Sequence, residues 1–159
     1  MRSARGQVMW WRSLQDLIRR WFLKGGTAEI GWLAGRLGNA GERLAAKHLR
    51  SLGLRILFRS YRTPLGEIDL IARDGNTVVF VEVKTRRGTW TGPPADAVDD
   101  AKQKQLTRLA LSFLKHYQLL NHRARFDVVA IVWPKENVAP QITYYRAAFE
   151  ARGEGQMFS

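Results

Sequence analysis

Helical and strand patterns alternate along this chain, which predicts the α/β class. Three stretches carry that reading. Residues 66–86, GEIDLIARDGNTVVFVEVKTR, are two alternating apolar runs joined by Asp74-Gly75-Asn76, the pattern of a hairpin. Residues 95–117 set Val98, Ala101, Leu106, Leu109, Ala110, Phe113 and Tyr117 on one helical stripe. Residues 125–133, RFDVVAIVW, form a nearly continuous apolar strand, as expected inside a sheet covered on both faces.

The totals fit one ordinary domain with an extension. The chain has 159 residues, of which 45% are hydrophobic and 25% charged, and this excludes wholesale disorder. Its formal net charge is +12 and its pI about 10.9. Such an excess attracts polyanions, nucleic acid first and an anionic membrane surface second. The absence of cysteine removes disulfides, thiolate nucleophiles and thiolate metal sites, and fits a reducing cytoplasm. No run approaches about 18 apolar residues, so no transmembrane helix is expected.

Residues 1–35 read as a basic, Trp-rich extension. Within 8–24, Trp10, Leu14, Leu17, Ile18 and Trp21 fall at helical spacing, with Arg12, Asp16, Arg19 and Arg20 mostly elsewhere on the wheel. The interrupting charges exclude a secretory signal. Such a helix suits a membrane surface or a partner, and packing on its own domain is the plainer alternative. Met9 also offers an internal start. Gly25-Gly26-Thr27 breaks the pattern ahead of the main domain, 36–150, and residues 151–159 read as a flexible tail.

Residues 37–52 predict the first helix of that domain, with Gly53 as its stop and Leu44, Ala45, Leu49 and Leu52 on its apolar face. Glu42 stands three, four and seven residues before Ala45, Ala46 and Leu49, which turns it toward the same side. A glutamate there also gains from the helix dipole, under ~1 kcal/mol, a purely structural reason for its presence. His48 reads as a packed or flanking residue. Residues 54–61 are a first strand, closed by a Thr63-Pro64 turn. In the hairpin, Glu67, Asp69 and Ile71 share one face of the first run; Val78, Phe80, Glu82 and Lys84 share one face of the second.

Register decides whether these charges meet. A Gly75-Asn76 loop sets Asp69 directly opposite Glu82, with Cβ atoms about 4.5–5.5 Å apart. An Asp74-Gly75 loop sets Glu67 opposite Glu82, with Asp69 on the diagonal. A three-residue loop separates Asp69 and Glu82 unless a bulge restores them. Further on, Gly92-Pro93-Pro94 breaks the loop 88–94, and Lys102 borders the inner stripe of the long helix. Residues 141–145 are a shorter, edge strand.

Paired carboxylates a few ångströms apart share a proton or a cation. With no histidine or cysteine beside them, the donor set favours a hard ion, Mg²⁺ or Mn²⁺, with the Val83 carbonyl as a further oxygen. Lys84 can then position a water or stabilise negative charge on phosphorus. The alternative is a structural salt-bridge ladder, Glu82 to Lys84 and Asp69 to an arginine.

Asp69, followed after twelve intervening residues by Glu82-x-Lys84 across a hairpin, resembles the PD-(D/E)XK nuclease motif, with Ile68 in place of the usual proline. Together, GNAGERLAAKHL, GEIDLIARDG, VFVEVKTR, AVDDAKQKQL and RFDVVA resemble the bacterial YraN-type family, described as uncharacterised and similar to archaeal Holliday junction resolvases. The resemblance spans about 37–148 and leaves the extension outside. It implies a restriction-endonuclease-like α/β core, a mixed sheet flanked by helices in the order α-β-β-β-α-β.

By position, Glu42 matches the helix-borne acid, Asp69 and Glu82 the metal-binding acids, and Lys84 the catalytic lysine. Lys102 and Gln103 match a polar pair that contacts phosphate. Glu67 belongs to the GEID block without an assigned role. The expected activity is Mg²⁺- or Mn²⁺-dependent hydrolysis of DNA phosphodiesters, on branched or recombination intermediates. Arg59, Arg62, Arg86, Arg87 and Arg108 would track the backbone, and the resemblance implies a two-fold homodimer. The alternative is a nucleic-acid-binding module that keeps the fold without efficient cleavage. Membrane-surface contact through residues 8–24 is a third expectation.

Overall fold

A computed structural model of the protein describes residues 36–88, 92, 98–135 and 137–153. The expected amphipathic stretch 8–24, most of the loop 88–94, the start of the long helix at 95 and the tail beyond 153 lie outside the described residues. The chain divides into two units, Met1–Arg36 and Leu37–Ser159, and the second holds the sheet.

Helix α1 (Arg36–Ser51) is followed by strands β1 (Arg55–Thr63), β2 (Gly66–Asp74) and β3 (Thr77–Arg87), helix α2 (Asp100–His116), and strands β4 (Arg123–Trp133) and β5 (Gln141–Phe149). The five strands lie side by side in chain order. β3 and β4 are parallel and every other pair is antiparallel. Parallel neighbours require a crossover, and α2 supplies it. The sheet is therefore mixed, in the order α-β-β-β-α-β that the sequence predicts, with β5 added on the edge.

Apolar side chains cover both faces. Ala45, Ala46, Leu49, Leu70, Ala72, Val79, Val81, Val129 and Ile131 form one core cluster, on the α1 side. On the α2 side Phe113 packs edge-on against Phe58 and Phe80, at 5.5 and 5.7 Å between centroids. Among the described residues no helix is long and apolar enough to cross a membrane.

Local features of both helices differ from the sequence expectation, each for a visible reason. α1 stops at a Schellman motif: Gly53 adopts φ 89°, its N–H donates to Arg50 C=O, and Leu54 N–H donates to Leu49 C=O. Leu52 thereby leaves the helical face and is 51% exposed, while Leu54 enters the core in its place. α2 begins at Asp100, where Asp99 caps it by accepting the Lys102 N–H at 2.8 Å. Val98 is buried ahead of the helix, not on it. Ala101, about 140° round the wheel from Leu106, is exposed, and the buried stripe takes in Gln103 and Thr107 instead.

β5 runs on to Phe149 because buried Asp127 repairs its bulge. The Asp127 carboxylate accepts the Ala147 N–H at 2.8 Å where Ala147 takes φ 49°, and Phe149 stacks on Phe126. The same carboxylate takes the Arg125 Nε–H and the Tyr144 hydroxyl, so no part of it is left unsatisfied.

Candidate metal centre

The β2–β3 turn selects the first of the three registers. Asp74 pairs with Thr77 around a Gly75-Asn76 loop, with Gly75 at φ 57°, as a two-residue hairpin turn requires. The ladder ends at Leu70 opposite Val81, and Asp69 and Glu82 are the next residues along the two strands.

Glu82 is 4% exposed. Its Oε1 pairs with Lys84 Nζ at 2.9 Å and with Lys102 Nζ at 3.3 Å, so one oxygen takes two ammonium groups from a strand and a helix. Its Oε2 is buried with no hydrogen-bond partner among the described residues. A carboxylate oxygen left bare in a low-dielectric site costs about 1–3 kcal/mol or more. Lys102 reaches the site because the Asp99 cap fixes its backbone at the start of α2.

Three other acids form a group that does not include Glu82. One carboxylate oxygen each from Glu42, Glu67 and Asp69 lie within 4.8 Å of one another. Glu42 arrives on α1, whose approach to the sheet depends on Gly41: an added Cβ there would collide with Thr85 Oγ1 of β3. Its Oε2 accepts the Ser60 hydroxyl at 2.8 Å. Glu67 faces Arg62 across the β1–β2 ladder, and the two are paired at 2.9 Å. Asp69 Oδ2 accepts the Val83 N–H at 2.7 Å. Burial, and then the charge of Glu82, push the Asp69 carboxyl up to about 7 against that hydrogen bond.

The sequence left cluster and ladder open, and the structure contains parts of both. Glu42, Glu67 and Asp69 meet without Glu82, which among the described residues pairs with Lys84 and Lys102, and the arginine goes to Glu67, not Asp69. Gln103 is 5% exposed, with its Nε2 donating to Val98 C=O and its Oε1 accepting from Arg152 Nε. Both ends of that amide are engaged inside the fold, where the sequence expects a phosphate contact. Arg86 is exposed at the end of β3, and Arg62 is exposed but paired. His48 makes no part of the cluster.

Ser60 is the residue that sequence reasoning missed. A two-residue Pro64-Leu65 turn sets Thr63 opposite Gly66 and Arg62 opposite Glu67. The same count places Ser60 opposite Asp69, a signal present in the Thr63-Pro64 turn itself.

Residues 41–131 match the family described as Uncharacterised protein family UPF0102. The chain belongs to it. A UPF0102 protein of Rhodopirellula baltica is 41% identical over 153 residues, covering 94% of this chain and 91% of that relative. Relatives from Geobacter sulfurreducens (47% identical, 72% and 88% covered) and Caldicellulosiruptor saccharolyticus (43%, 71% and 96%) match a shorter part. The Rhodopirellula alignment thus reaches into residues 1–35. Glu42, Glu67, Asp69, Glu82, Lys84 and Lys102 all fall within the UPF0102 match.

Proposed function

We propose that this UPF0102 protein is a nuclease-like phosphodiesterase that acts on DNA with a bound Mg²⁺ or Mn²⁺. The observation that carries the reading is Glu82, a buried carboxylate with one oxygen held by two lysines and the other without a partner among the described residues, its charge acting on Asp69. The donor set fits the ion, since the group formed by Glu42, Glu67 and Asp69 offers three carboxylates and neither imidazole nor thiolate, with buried Glu82 outside that group. Asp69, Glu82 and Glu42 would hold it, with Glu67 beside them. When bound, such an ion lowers the pKa of water and polarises a phosphodiester oxygen.

The remaining work falls to the chain's own side chains. Lys84 and Lys102 bring two positive charges to one point, where negative charge on a phosphate would gather. Asp69 holds its proton below about pH 7 and releases it above, which is the form a cation needs. Exposed Arg59, Arg86, Arg87 and Arg108 would meet the phosphate backbone without reading sequence. Branched or recombination intermediates as substrate, and a two-fold homodimer, rest on the resemblance to Holliday junction resolvases. A cytoplasmic site of action rests on the cysteine-free composition.

A second reading has its own observation. Every acid already has an internal partner: Ser60 for Glu42, Arg62 for Glu67, the Val83 N–H for Asp69 and two lysines for Glu82. On that view the cluster is a neutralised ladder in a nucleic-acid-binding module. Nicking assays with Mn²⁺ on duplex, forked and four-way DNA separate the two. The nuclease reading expects cleavage by the wild type and its loss in Glu82→Ala. Equal cleavage by both, or none by either, ends it, and binding with a steep salt dependence then favours the module.

A further inference from the structure

Ser60 combines a strained backbone with a hydrogen bond into the acid cluster. Its φ is 49°, in the left-handed region that side chains other than glycine rarely adopt, and it lies within β1. Arg59 opposite Leu70 and Tyr61 opposite Ile68 bracket it, so it faces Asp69. Packing explains part of this. Phe58 and Tyr61 both lie against Phe113, at 5.5 and 5.2 Å, although regular alternation sends residues three apart to opposite faces. The turn at residue 60 resets that alternation. Glycine would do so without strain. What packing leaves unexplained is a hydroxyl 2.8 Å from Glu42 Oε2, contributed from eighteen residues away.

We propose that Ser60 is a positioning residue of the metal centre, aiming Glu42 at Glu67 and Asp69. The proposal rests on the metal reading above for its function and on geometry alone for the contact. Glu42 enters on a helix while Glu67 and Asp69 enter on a strand. A glutamate on α1 has three side-chain torsions with which to leave the cluster. With Oε2 tied to β1, the direction of Oε1 is set by the sheet that carries the other two acids. Backbone strain retained at such a point is the usual companion of a functional site. Partners that orient ligands in this way are typically worth about 10–100-fold in metal affinity.

Three substitutions separate backbone from hydroxyl. Ser60→Ala removes the hydroxyl and keeps the strain; Ser60→Gly removes both; Ser60→Asn tolerates the left-handed region and offers an amide donor. Mn²⁺ affinity is read by electron paramagnetic resonance, and the thermal midpoint is read on the metal-free protein. The Ala and Gly variants are expected to weaken Mn²⁺ binding alike, about tenfold, and Asn to recover most of it. The Gly variant should melt about 2–4 °C above the Ala variant, since it alone relieves the backbone. Wild-type affinity in both Ala and Gly variants overturns the proposal.

A wild type that binds no Mn²⁺ instead removes the metal reading. Ser60 is then decided by a double-mutant cycle of Ser60→Ala with Glu42→Ala, which removes the acceptor, on the metal-free midpoint. Coupled shifts keep Ser60 as the residue that positions Glu42, and additive shifts overturn it.

Discussion

Replacing Asp69 by asparagine should stabilise the metal-free protein, and more so as pH rises. Its carboxyl ordinarily titrates at 3.8 and is pushed up to about 7 by burial and by Glu82. Between those values the native state binds a proton that the unfolded chain has released, so wild-type stability falls as pH climbs. The gap, at ~1.4 kcal/mol per pH unit, sets a ceiling of about 4 kcal/mol, fully present above pH 7. The asparagine side chain would keep an oxygen for the Val83 N–H and would carry no charge. The stability difference between Asp69→Asn and wild type should therefore widen by about 2–3 kcal/mol from pH 5 to pH 8. Urea denaturation in EDTA at both pH values measures it, and taking a difference cancels the acids that do not interact with Asp69, while Glu82 and Glu42, which do, contribute to it. A difference that stays constant with pH would refute the claim that Asp69 is held as a buried acid beside Glu82. Adding Mn²⁺ at pH 8 should then stabilise the wild type and leave the variant behind, by the ligand's mass action.

Two further substitutions test how the site and its scaffold are held. Gly41→Ala drives a methyl into Thr85 Oγ1 and should cost about 1–3 kcal/mol in chemical denaturation, with Thr85→Ala in the same chain restoring most of it; a neutral Gly41→Ala would mean α1 does not lie so close. Asp127→Ala strips Arg125, Tyr144 and the Ala147 N–H of their shared acceptor, so about 3–5 kcal/mol should be lost. A loss under about 1 kcal/mol would show that the end of β5 stands without it.

The two helices show where a sequence pattern suffices and where it fails. Gly53 was legible as a stop because only its left-handed conformation suits that position, whereas the exposure of Leu52 depended on how the Schellman turn closed. The inner stripe of α2 was legible from Leu106 to Phe113. Its first turn was not, because the Asp99 cap leaves Val98 ahead of the helix, and Ala101 lies about 140° round the wheel from Leu106 and faces outward. Gln103 reads as a polar residue bordering a helix, yet it is buried because Arg152, forty-nine residues later, meets it there. No local pattern could reveal that contact.

By itself the sequence determined that a hairpin at 66–86 would carry acids and a lysine on apolar faces. Period-two alternation and a two-residue Gly75-Asn76 turn are local properties of the chain. It also determined the α/β order and, through its motif blocks, the family. Tertiary structure decided which charges touch. It brought Lys102 from α2 to the same oxygen as Lys84, and gave Arg62 to Glu67 and not to Asp69. It also tied Glu42 to Ser60, whose backbone no propensity would have chosen. The physical reason is reach. Register fixes what lies opposite along a ladder, but the meeting of a helix-borne charge with a strand-borne one depends on how close the helix packs, which here turns on the missing side chain of Gly41.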